Sequence, residues 1–130
     1  MTDTSPLISR YEEEPKPAPY CVPFAPELIP LILEGRKVKT YRLGLKYDYL
    51  SVGDKVKIQN WDTQEIIGEA VVTHKERTTF DKLPLENPGH EPYNDKESQR
   101  KVFSHYYAYI KRPLKDDDLF LIIEFRLARN

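Results

Sequence analysis

The chain has little of what ties a small protein together covalently. Cys21 is its only cysteine, so no internal disulfide can form and there is no C-x-x-C pair to hold a metal. Neither charge sign is in surplus: 20 Lys and Arg against 21 Asp and Glu leave a formal net charge of −1. Proteins that grip duplex DNA non-specifically draw affinity from neutralised phosphates and carry a positive excess. Duplex DNA is therefore not an expected partner, and a nucleic-acid contact has to come from a local basic patch or a pocket for one base. Long apolar runs are missing too, since nothing approaches the about 20 residues of a membrane helix. The start, Met1 to Ser5, lacks the cationic region and apolar core of a signal peptide. The expected setting is cytoplasmic, with no membrane partner; protein partners cannot be named from sequence. The three histidines, His74, His90 and His105, have no ligand spacing among themselves, so neither a metal nor another cofactor is expected.

Proline and tyrosine are abundant instead, at 11 and 9 copies, against 5 glycines. The prolines gather at the start. Residues 1–18 combine Glu12, Glu13 and Glu14 with Pro15 and Pro17 and offer little apolar surface to offset their ordering, so they read as a loosely ordered arm. Residues 19–130 read as a single domain, long enough to bury about two-thirds of its unfolded surface.

Tyr20 to Phe24 alternates as a short strand. In the apolar run from Leu28 to Leu33, Pro30 fits only a first helical turn, so a short helix starts near Ile29 and Gly35 takes the left-handed cap after it. Strand patterns follow at Val38–Leu43, Lys55–Gln59 and Ile66–Arg77, with Gly68 hinting at a bulge. Asn94, three residues before Glu97, reads as the cap of a helix whose Val102, Phe103, Tyr106, Tyr107 and Ile110 form an apolar stripe. Leu119 to Leu127 closes the chain as a buried strand. Several short strands with two or three short helices inserted among them imply an α+β class and a small mixed β-barrel.

The densest chemistry lies in Gly35-Arg36-Lys37-Val38-Lys39-Thr40-Tyr41-Arg42. On a strand Thr40 and Arg42 share one face, with Lys39 and Tyr41 on the other. Lys37 can join Thr40 only from the turn that Gly35 permits. A lysine desolvated beside an arginine gives up its proton more readily and can activate a threonine hydroxyl toward an acyl carbon. A solvated basic rim, or a phosphate or base contact, explains the same residues.

This stretch, with Gly53-Asp54 opening a later strand and Ile123-Glu124-Phe125 in the final one, resembles the ASCH domain family of the PUA-like superfamily, in the threonine variant of its G-x-K-x-x-E/T-x-R motif. The resemblance spans roughly residues 20–127. It implies a PUA-like barrel with a cleft on Gly35–Arg42 that binds RNA or a modified nucleoside through Gly35, Lys37, Lys39 and Arg42. Tyr47 and Trp61 are the aromatic candidates for stacking a base. The threonine variant also implies a second function, a small amidohydrolase acting on N4-acetylcytidine. Lys37 would then be the activating lysine, Thr40 the nucleophile and Glu91 the acid, with Glu97 the alternative.

Overall fold

In the computed structural model, which describes residues 18–128, five strands form one mixed sheet in the order β1-β3-β4-β5-β2. They are β1 (Cys21–Phe24), β2 (Lys39–Leu43), β3 (Lys55–Asn60), β4 (Ile66–Thr79) and β5 (Leu119–Leu127). Two helices, α1 (Ile29–Leu33) and α2 (Lys96–Tyr106), complete the α+β fold. Residues 1–17 of the expected arm lie outside the described residues.

The final strand shows why its sequence is almost continuously apolar. Leu121, Ile123 and Phe125 enter one core cluster with Val22, Phe24, Ile58 and Val72. Phe120 and Ile122 point the other way, into a second cluster with Tyr41, Leu43, Phe80 and Phe103. A strand buried on both faces has no solvent side on which to place polar residues. β2 pairs antiparallel with β5, Thr40 opposite Ile123 and Arg42 opposite Leu121. Cross-strand partners share a face, so Thr40 and Arg42 lie on the side of the first cluster and Tyr41 and Leu43 on the side of the second.

β4 is 14 residues long and carries two irregularities. The β3–β4 register slips between Ile58 and Gln59, beside Gly68, where a bulge is expected. A second slip separates Val72 from His74 against β5. Bulges bend a strand and increase its twist, which lets one strand serve both β3 and β5.

The expected barrel is not closed by backbone pairing. β1 and β2 are the two ends of the sheet order. β1 is only four residues long, and Pro23 at its centre has no N–H to donate. A side chain spans the seam instead: Arg42 on β2 donates from Nη2 to the Pro23 carbonyl on β1 at 2.7 Å.

Pro30 lies in the first turn of α1, and Gly35 after it has φ +80°, as the pattern predicts. The cap of α2 falls one residue later than expected: Asp95, not Asn94, accepts the Ser98 N–H at 2.7 Å. At the foot of α2 the Lys96 ammonium donates to the carbonyls of Phe80 and Leu83. This ties the helix to the short turn Phe80–Lys82 and sets the ends of the loop that carries Glu91.

Candidate functional site

The two faces of β2 and the loop before α2 meet at the seam. They enclose a cavity of about 150 Å³ lined by Pro23 to Ala25, Leu28, Lys37, Thr40 to Arg42, Lys46, Trp61, His90, Glu91, Tyr93, Phe103 and the tyrosines 106, 107 and 109. An apolar cavity of that size admits a benzene ring.

Gly89 decides where the acid stands. Its carbonyl accepts the N–H groups of both Val38 and Lys39, at 2.8 and 3.1 Å. Asn87 reinforces the dock, accepting from Lys39 Nζ at 2.6 Å and donating to the Tyr41 hydroxyl at 3.0 Å. Two residues beyond Gly89, Glu91 Oε2 lies 2.6 Å from the Lys37 ammonium. Gly89 has φ +87°, and an added Cβ would stand 2.4 Å from Cγ2 of Val38. Gly89→Ala should therefore cost about 1–3 kcal/mol of stability in urea unfolding, through a strained backbone and a steric clash. Loss of under 0.5 kcal/mol, about the size of an ordinary surface change, would refute the docking role.

Lys37 is 3% exposed. Besides Glu91 it donates to the Lys39 carbonyl at 2.8 Å. The sequence leads to a contact between Lys37 and Thr40, and the structure replaces it. Lys37 pairs with Glu91, and the Thr40 hydroxyl oxygen accepts from Arg42 Nε at 2.8 Å. The reason is the loop dock, which brings a carboxylate to the ammonium and leaves Thr40 to its strand neighbour. Burial pulls the Lys37 pKa down to about 8, against the opposing pull of the Glu91 charge. Burial also works against the charge on Glu91, but the ammonium beside it holds the carboxyl below its usual range. At neutral pH the pair is ionised, with an amine that gives up its proton more readily than an ordinary lysine.

Arg42 is a structural tie. Besides Thr40 and Pro23 it packs over the rings of Phe24 and Tyr47, 4.6 and 5.4 Å from their centroids. Because Arg42 donates to Thr40, the hydroxyl oxygen is held in place while its own proton stays available.

The remaining expected contacts divide. Trp61, at the β3–β4 turn, lines the cavity and is half exposed. Gly35, with φ +80°, turns the chain after α1 and does not line the cavity. Lys39 holds Asn87 and stands 3.6 Å from Glu124, so it docks the loop and does not line the cavity. Tyr47 is 1% exposed within the first cluster, because the loop after β2 folds inward beneath Arg42; it cannot stack a base there. Glu97 lies exposed in the first turn of α2 and does not line the cavity, whereas Glu91 does. Lys55 and Lys57 are exposed on β3 and do not join the cavity cations.

Sequence reasoning undervalued the aromatic wall. His90 stacks on Tyr41 with centroids 3.8 Å apart and planes 8° from parallel. Tyr93 and Phe103 continue the wall, and the Tyr107 hydroxyl accepts the Leu43 N–H at 3.2 Å. The one sequence signal for His90 is its place beside Glu91. Tyr106, on the expected core stripe, is partly exposed and donates to Glu27 at 3.2 Å. Among the described residues no group of three His, Cys, Asp or Glu side chains could hold a metal ion, and no helix is long and apolar enough to cross a membrane.

No family model and no curated protein matches the sequence. Solved structures do. An ASCH domain from Lactobacillus crispatus aligns over 75% of this chain and 68% of its own, at 21% identity and TM-score 0.53. An ASCH protein from Zymomonas mobilis aligns over 82% and 66%, at 14% identity and TM-score 0.56. The fold is that of an ASCH domain. A protein of the DUF984 family from Enterococcus faecalis shares this ASCH-like fold over 78% and 67%, at 17% identity and TM-score 0.61. At these identities the likeness is one of fold, and the chemistry rests on the residues of this chain.

Proposed function

We propose that the seam cavity binds a single base or modified nucleoside. The observation that carries this reading is the ionised Lys37–Glu91 pair set into an aromatic cavity of about 150 Å³. Aromatic walls take the face of a planar ring, and a few fixed polar groups orient it. An extended RNA groove has less support, because Lys55, Lys57 and Lys39 do not line the cavity with Lys37, Arg42 and Lys46. Trp61, the only tryptophan, sits at the rim as a built-in reporter. Its fluorescence should respond saturably to cytidine and N4-acetylcytidine. No response to either nucleoside, with tight and steeply salt-dependent binding of a single-stranded oligoribonucleotide, would overturn the single-base reading.

A second reading, hydrolysis of N4-acetylcytidine, is favoured by the presence of Thr40, Lys37 and Glu91 around one cavity. In the minority of molecules whose Lys37 has released its proton, its pKa being about 8, the Thr40 oxygen would bond to the acyl carbon as its own proton passes to that amine. The C–N4 bond then breaks, and the departing amino group takes a proton from the Lys37–Glu91 pair. Water releases acetate from the threonyl ester. The wild-type protein should yield free cytidine by chromatography, and Thr40→Ala should lower the rate by about 10³-fold or more. Equal rates in the two proteins would remove Thr40 as nucleophile.

A further inference from the structure

The cavity wall beside the Lys37–Glu91 pair presents hydrogen-bond acceptors. His90 Nδ1 lies 3.0 Å from the backbone carbonyl of Glu91. A carbonyl only accepts, so Nδ1 carries the proton and Nε2 is the acceptor. The ring cannot turn freely, because it is stacked on Tyr41 and its side chain is 3% exposed. Nε2 has no partner among the described residues, and it is not one of the sealed polar atoms of the interior. With His90 forming part of the wall, this nitrogen is left to the cavity. Glu91 adds a second acceptor. Its Oε2 is taken by Lys37, while Oε1 has no partner among the described residues.

We propose that His90 is a specificity-determining residue: with Glu91 it forms a two-acceptor wall that selects a ring bearing an exocyclic amino group and rejects one bearing a carbonyl at that position. This rests on the single-base reading and names the ligand class within it. An amino group has two N–H donors for the two acceptors. A carbonyl oxygen in its place would face two lone pairs with no proton between them, and the buried acceptors would lose water without replacement. Burial and the nearby Lys37 charge lower the His90 pKa to about 4, so the imidazole is neutral and accepting at physiological pH.

The test measures three pyrimidine nucleosides by Trp61 fluorescence at pH 7.5: cytidine, its analogue with hydrogen at C4, and uridine. Wild type should bind them in that order, with about tenfold between cytidine and the 4-hydrogen analogue. In His90→Phe, which keeps a ring on Tyr41, the cytidine preference should fall to a few-fold or less. A merely structural role for His90 would weaken all three alike. Uridine bound as tightly as cytidine by wild type, or a cytidine preference unchanged in His90→Phe, overturns the inference and leaves the single-base reading standing. Binding of none of the three, nor of N4-acetylcytidine, removes both. The wild-type order needs no variant to fold.

Discussion

Phe103→Ala should remove about 3–5 kcal/mol of stability, the range for truncating a buried phenylalanine. Phe103 is 4% exposed. It stands among five rings, with centroid distances of 5.4 Å to Phe120, 5.8 Å to Tyr93, 6.2 Å to Tyr107 and 6.3 Å to both Tyr41 and Phe80. These rings come from β2, β5, the C-cap just after α2, the loop before α2 and the turn after β4. No neighbouring side chain can fill the gap without leaving its own partner, so the site cannot collapse cheaply. The measurement is urea unfolding, with a lower midpoint and an unchanged slope. Because Phe103 also lines the cavity, the variant should lose nucleoside affinity even at temperatures where it stays folded. Phe103→Leu, which keeps most of the apolar volume, should recover much of the stability. A loss below 1 kcal/mol for the alanine variant would mean that the aromatic wall is not a packed unit.

Strand alternation correctly placed Thr40 and Arg42 on one face, and the 2.8 Å bond between them follows from that period of two. Pro30 and Gly35 marked the limits of α1 because each allows few backbone conformations. The nearly continuous apolar run of β5 was legible as burial, since a stretch covered on both sides, as Phe120–Ile123 is, has no solvent face for polar residues. The partner of Lys37 was not legible. The sequence pointed to Thr40, three positions away, whereas the dock of Gly89 on β2 brings in Glu91 from 54 positions away. Tyr47 misled for a related reason. Its nearness to the motif in sequence suggested the cleft, whereas the direction of the loop turns it into the core. The open seam was equally hidden, because a strand pattern does not say which edges will pair, and here an arginine side chain spans the gap.

Glu91→Gln tests the other half of the site, and its effect should depend on pH. The glutamine leaves the buried Lys37 ammonium with no counter-charge, which at pH 6 should cost roughly 2–3 kcal/mol, less than the about 3–5 kcal/mol for a fully buried pair because the Glu91 side chain is 29% exposed. Lys37 has a way out that an arginine would lack, because it can release its proton. Its pKa, already about 8 with Glu91 present, must fall further in the variant, since Glu91 raises it both by charge and by the hydrogen bond. Between the two folded-state values the wild-type amine holds its proton and the variant amine does not. There the unfolded variant binds more protons than the folded one, so variant stability rises with pH relative to wild type. The stability gap should therefore be widest near pH 5–7 and shrink as pH approaches about 8. On the acid side the pair stabilises above the ordinary carboxyl range and is lost once pH falls through the lowered Glu91 value, so the gap narrows there too. Urea midpoints of the two proteins from pH 4 to 9 give the curve. A gap that stays constant across that range would show that Lys37 and Glu91 do not share the interaction that the 2.6 Å contact implies.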